Sequence, residues 1–370
     1  MSRNSEGKDQ PQLGMLGGGS PSTGVGLPAI GKLVVILLFF VALAFALLWH
    51  KRVRLDVYKT VDELVFVDRV LEECVDYLAR TNGWDDVGHF SSLRCNHPSG
   101  DGIETLDGIE HLVELTDVNL AFNRITDIDP LAELTHLAAL NLSHNEINRV
   151  PTLNSATSLK RIDLNDNRLM SVQWLSTQRF AVLDSLALAH NQISDFSPLS
   201  SLIDLGELNV RGNHISDIEP ILSLGSLVLL DAGGNSIANI SSIGRLSDLQ
   251  RLYLDSNRLS SLTGLASLQQ LEELDLANNA LQSIAEISRL YRLQRLNLSR
   301  TGITSLAEIL ALGDIEMLQV TGNPDLACAT IADAVREYGD EAIKRDKNCA
   351  ISVGQTQGNA SWTGRLTAER

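Results

Sequence analysis

Leu249 to Asn279 reads LQRLYLDSNRLSSLTGLASLQQLEELDLANN, and one pattern is written there twice. Leu249, Leu252, Leu254 and Asn257 return 22 residues later as Leu271, Leu274, Leu276 and Asn279. Outward from this stretch the asparagine recurs as Asn123, Asn145, Asn167, Asn191, Asn213, Asn235 and Asn323, with Thr301 in the ninth of ten places. Every spacing is 22 residues except Asn167 to Asn191, which is 24. Leu or Ile stands eight before each marker, and Val, Leu or Ile five before it, from Val118 and Leu140 to Leu296 and Leu318. Ile or Leu follows two after the marker in the first nine repeats, as at Ile125, Ile147 and Ile303.

The columns have a physical reason. Apolar residues five and three before the marker are two apart, so both point to one face of a short strand. Stacked coils pair such strands in parallel and bury a continuous core that no single repeat could make. The chain must then turn inside the stack. An Asn amide carries donors and an acceptor, so a column of them can satisfy the backbone of successive turns, which Thr301 can do only in part. Leu131, Leu134, Leu265 and Leu268 are expected to turn inward from the outer side.

These rows resemble leucine-rich repeats of the 22-residue class, L-x-x-L-x-L-x-x-N-x-I/L, as found in internalins and in protein-phosphatase regulatory subunits. The resemblance spans about ten repeats, residues 101–323. It implies an α/β solenoid: an arc with short parallel strands on the concave face and 3₁₀ or irregular turns on the convex face. It also implies that ligands meet the outward-pointing strand residues of the concave side.

Open coils expose core and a sheet edge, so both ends need covers. In the N-terminal cap, residues 50–100, Asp56 to Arg80 carries apolar residues at helical spacing and reads as an amphipathic juxtamembrane helix, interrupted by Asp68. After Asn323, Pro324-Asp325 breaks the frame, and Ile331 to Tyr338 predicts a short helix in a C-terminal cap of residues 324–349. The four cysteines, Cys74, Cys95, Cys328 and Cys349, form two local pairs, each 21 residues apart. Four cysteines allow three connectivities. A local bridge at each end would close off that end, each contributing on the order of 3 kcal/mol. Such bridges require an oxidising compartment; the alternative is four unpaired thiols in a reducing one. A Cys328–Cys349 clamp matches families with cysteine-flanked leucine-rich repeats.

Upstream, Leu33 to Trp49 is seventeen residues without a charge. As a helix it would span roughly 26 Å, close to a bilayer core of about 30 Å. A cleaved signal peptide would need a site such as Ala42-Leu43-Ala44, but the apolar run continues past it. Residues 33–49 therefore read as a transmembrane helix after a disordered tail, residues 1–32, with a second disordered tail at 350–370. Lys51, Arg52, Arg54 and Lys59 favour a cytoplasmic body by the positive-inside rule, whereas the cysteines favour the opposite face. The cysteines are given the greater weight, because long domains translocate largely regardless of flanking charge. That puts the N-terminus in the cytoplasm and the repeats in the periplasm or outside the cell.

The chain has 370 residues with 30 basic and 46 acidic side chains, a net charge of −16. Residues 1–55 hold six basic and two acidic residues, so the remainder carries 24 against 44. So acidic a body excludes nucleic acid, which requires a basic surface. The sequence holds no nucleophile elbow, P-loop or H-E-x-x-H, and nothing in it calls for a cofactor or metal. His144 and His190 lie two repeats apart, too far to share an ion.

Protein binding remains, through the strand residues facing away from the core. The column four before the marker is mostly Asn and Asp, consistent with a solvated hydrogen-bond ladder. Val228, Leu229 and Tyr253, beside Gly212, Gly233 and Gly234, form a flatter apolar patch flanked by Arg251, Arg295 and Arg300. Phe122 and His144 form a smaller second candidate. The predicted function is a membrane-anchored, non-catalytic scaffold for a protein or glycan ligand. The alternative is a cytoplasmic-facing regulatory subunit that binds an enzyme such as a phosphatase.

Overall fold

The computed structural model describes residues 60–96, 102–151, 153, 157–177, 180–313, 315–346 and 349. Its strands, each of two or three residues, are β1 Ser92–Arg94, β2 Asp117–Asn119, β3 Ala139–Asn141, β4 Arg161–Asp163, β5 Ser185–Ala187 and β6 Glu207–Asn209. They continue as β7 Leu229–Asp231, β8 Arg251–Tyr253, β9 Glu273–Asp275, β10 Arg295–Asn297, β11 Met317–Gln319 and β12 Ile343–Lys344. All twelve form one sheet in chain order, and every pair is parallel. Strands β2 to β11 are the ten repeats. The outer two extend the sheet into the caps, with Leu93 in register with Val118 and Ile343 with Leu318. The central residue of each repeat strand is 0–2% exposed, which makes the column five before the marker the inner wall of the core.

The turn after each strand follows one recipe. The residue before the marker adopts a left-handed backbone in all ten repeats, with φ between 53° and 73° from Phe122 and His144 to Gly322. Only Gly does this without steric penalty, so Gly212, Gly234 and Gly322 occupy the relaxed form of this position. The marker then ties its coil to the one before. Asn145 Nδ2 donates to the Leu120 and Leu142 carbonyls, both at 3.0 Å, while its Oδ1 accepts the Ile125 N–H at 3.0 Å. Thr301 manages less: Oγ1 donates to Leu298, and the backbone carbonyl of Thr301 takes over the Leu281 N–H. Four residues past the marker comes a second capping column. Asp127, Ser171, Asp195, Asp217, Asn239, Ser261, Ser283 and Ser305 each accept the N–H two residues on, opening the convex turn. Many of those turns are 3₁₀ helices, and Leu131, Leu134, Leu265 and Leu268 are fully buried within or beside them.

The N-terminal cap departs from the expected single helix over 56–80. Helix α1 spans Arg69–Asn82, and Val61–Glu63 is a separate 3₁₀ turn. Between them Leu64, Phe66 and Asp68 are buried while Val65 and Val67 are exposed, an alternation of period two rather than a helical stripe. Asp68, which interrupted the stripe, is the helix N-cap. Its Oδ1 accepts the Val70 and Leu71 N–H groups at 2.8 and 3.1 Å, and its Oδ2 those of Glu104 and Thr105 at 2.7 and 3.3 Å. Burial pushes this carboxyl up, but the four donors outweigh it and hold Asp68 below the usual range. Cys74 is bridged to Cys95, joining α1 to the end of β1.

At the other end, helix α2, Cys328–Tyr338, starts a turn earlier than expected and is clamped by the Cys328–Cys349 disulfide. Tyr338 Oη donates to the Ile309 carbonyl at 2.6 Å, seating the helix on the last full repeats. The proposed span Leu33 to Trp49 and both terminal tails lie outside the described residues. Among the described residues no helix is long and apolar enough to cross a membrane.

Candidate ligand-binding face

The strand residues that face away from the core do two jobs. Oδ1 of Asn119, Asn141, Asp163, Asn209, Asp231, Asp275 and Asn297 accepts the N–H two residues on, at 2.9–3.2 Å. The Asn/Asp column is thus a row of capped turns as well as a solvated surface. Ala187 lacks the acceptor, and Asn165 of the preceding coil takes the Ala189 N–H instead, at 2.6 Å.

The sheet brings together most of the residues singled out in the sequence. Leu229 is in register with Arg251, Asp231 with Tyr253, and Glu273 with both Arg251 and Arg295. Leu229, Arg251, Tyr253 and Arg295 therefore share one area over β7–β10, with half-buried Val228 at its edge. Phe122 stands five coils away. Its ring stacks on His144 with centroids 4.2 Å apart at 11°, and His144 Nε2 lies 3.6 Å from Asp166. The arginines are occupied: Arg251 faces Glu207 at 3.5 Å, and Arg295 faces Glu316 at 3.2 Å and Glu273 at 3.8 Å. Burial, and then the Glu273 carboxylate, raise the Tyr253 phenol above its ordinary pKa.

The flat spot at Gly233 has an ionic cause that the sequence reading missed. Arg211 reaches across it, with Nε 2.9 Å from Asp231 Oδ2 and Nη1 3.2 Å from Asp255 Oδ2. A Cβ on Gly233 would stand 2.5 Å from both Arg211 Nη2 and Asp255 Oδ1, so the glycine makes room for the guanidinium. Hydrogen bonding to Asp255, against the penalty of burial and with help from Asp231, raises the Arg211 pKa further. The signal was in the rows: Arg211, Gly233 and Asp255 share one column two before their markers.

A second feature was also missed. Over β1–β5 the face sinks into an open depression of about 320 Å³. Ala139, Ser185 and Ala187 are the small residues that let it sink, and Arg161, Asn119 and Asn141 line it. Burial raises the Asp163 carboxyl there, against the Asn165 N–H and the His144 imidazole, which pull it down. Among the described residues no group of three or more His, Cys, Asp or Glu could hold a metal ion.

The family described as Leucine rich repeat matches residues 247–303, and a second of the same description matches residues 133–148. The body is a leucine-rich repeat solenoid. An internalin, InlF from Listeria monocytogenes, is 25% identical with a TM-score of 0.60, over 73% of this chain and 90% of that one. A leucine-rich repeat protein of Leptospira interrogans is 27% identical with a TM-score of 0.59, over 65% and 62% of the two chains. The functional domain of InlJ from Listeria monocytogenes shares the fold at 22% identity and a TM-score of 0.61, over 78% and 61%. No curated protein sequence matches the chain significantly.

Proposed function

We propose that this leucine-rich repeat protein is a membrane-anchored, non-catalytic scaffold that holds a protein ligand on its concave face outside the cytoplasm. One observation carries the reading: twelve parallel strands present their flanking side chains outward in unbroken register while each central repeat residue stays buried. Such a surface offers many adjustable side chains on a rigid backbone, the arrangement suited to a macromolecular partner. The Cys74–Cys95 and Cys328–Cys349 bridges support an oxidising compartment over the cytoplasmic-facing phosphatase regulator. Leu33 to Trp49 is the segment that would anchor it. The proposed contact area is Val228, Leu229, Arg251, Tyr253 and Arg295, with Phe122 as an outlying contact.

Leu229→Asp combined with Tyr253→Ala is expected to abolish crosslinking of the native partner while leaving the Tm unchanged. Crosslinking at wild-type yield would remove this area from the reading. In intact cells Cys328 and Cys349 should resist alkylation while external protease removes the repeats; four alkylatable thiols would overturn the topology.

A further inference from the structure

Four arginines lie on the strands: Arg94, Arg161, Arg251 and Arg295. Three face a carboxylate, Arg94 meeting Asp117 at 3.6 Å and the other two as described above. Arg161 alone has no ion-pair or side-chain hydrogen-bond partner among the described residues, and it is exposed. The register explains this: its lateral neighbours on β3 and β5 are Ala139 and Ser185, neither of which can neutralise it. The same small neighbours open the depression beside it.

Two carboxylates also line the depression, Asp117, which faces Arg94, and Asp163, and the adjoining amides add donors. Oδ1 of Asn119 is taken by the Ala121 N–H, and Oδ1 of Asn141 by the Ser143 N–H and hydroxyl. Each Nδ2 then points to no described partner, whereas Asn297 Nδ2, on β10, is committed to Asp275 at 2.9 Å. A free guanidinium and two free amide NH₂ groups in one depression make a site for an anionic acceptor. No aromatic ring lines the depression, so a sugar face would have nothing to stack on. We propose that this depression receives an acidic side chain of a protein partner, its carboxylate paired with Arg161 and flanked by the Nδ2 groups of Asn119 and Asn141. The site lies on the same concave face as the proposed scaffold function and rests on that reading.

A net charge of −16 repels an acidic probe from most of the surface, so attraction would be local. The probe is an acetylated decapeptide of alternating glutamate and serine, with glutamine in place of glutamate as control. It is titrated onto the full-length protein in neutral detergent at low salt. The glutamate peptide should bind and the glutamine peptide should not. Arg161→Gln should weaken binding at least tenfold, Asp163→Asn should tighten it by removing a neighbouring anion, and Arg245→Gln, at an exposed arginine that faces Glu219 on a 3₁₀ turn, should leave it unchanged. Unchanged binding by Arg161→Gln, or equal losses from Arg161→Gln and Arg245→Gln, would overturn the site. A uronic-acid oligosaccharide that binds through Arg161 where the peptide does not would overturn the protein source. If Leu229→Asp with Tyr253→Ala abolishes partner crosslinking and Arg161→Gln does not touch it, the carboxylate site falls while the scaffold stands. If neither changes crosslinking, the concave-face reading itself has failed.

Discussion

Arg161 and Arg211 sit two coils apart in one repeating frame and live in opposite surroundings. Arg161 emerges between Ala139 and Ser185 with its guanidinium open to solvent. Arg211 lies over Gly233, pinned between Asp231 and Asp255, whose side chains are only 17% and 14% exposed. The frame dictates where a side chain leaves the backbone; the neighbours one coil either side dictate what it can do there. Small uncharged neighbours leave a cation available to a ligand. A glycine beneath it and carboxylates on the coils beyond turn it into a clamp between coils.

The largest effect should come from the element that both regions share. Asn167→Ala, in the coil of Arg161, and Asn213→Ala, in the coil of Arg211, each remove a buried amide that spans two coils. Each is expected to cost about 3 kcal/mol in chemical denaturation, because backbone groups are left unpaired inside the stack. A cost that differs widely between the two would show that the frame is not indifferent to its surface.

The arginines themselves come next. Arg211→Ala leaves Asp231 and Asp255 half-buried without their cation and should destabilise by about 2 kcal/mol, while Arg161→Ala should stay within about 0.5 kcal/mol. Equal losses would erase the distinction. Gly233→Ala should cost about 1 kcal/mol in the native protein and less in the Arg211→Ala background, since removing the guanidinium relieves its contact there and leaves only the one with Asp255 Oδ1. Additive costs would place the strain elsewhere.

Asp163→Asn should have the smallest effect on stability, because the Asn amide keeps an acceptor for the Asn165 N–H. The folded pKa of Asp163 is raised, so its favourable contribution is fully present below the unfolded value of about 3.9 and is lost as pH rises through the folded value. The variant does not titrate there. Its stability relative to the native protein should therefore climb as pH rises through the acidic range, and a flat difference in thermal melts would contradict the burial of Asp163.

Much of the fold was legible because its chemistry repeats. The Asn markers, the apolar column five before them and the spacing of 22 residues specify strand, turn and core together. The caps were harder. Asp68 read as a flaw in a helical stripe because its partners, the Glu104 and Thr105 N–H groups, lie more than thirty residues ahead. Gly212 and Gly234 read as part of a flat binding patch, whereas their positive φ places them in the turn column shared with Phe122, His144 and Arg300. Grouping Leu229, Arg251, Tyr253 and Arg295 was possible because parallel register puts equal column positions side by side.

The amino-acid sequence by itself determined the solenoid, its repeat length, its buried columns and the side chains on its outward face, because each is a local spacing rule repeated ten times. Only the tertiary structure decided which outward charges are spent and which are free. Arg161 and Arg211 are the same residue type in two coils of one repeating frame. Ion pairing across coils depends on residues 20 to 44 positions apart meeting within a few ångströms, and that is a property of the stacked coils, not of any one row.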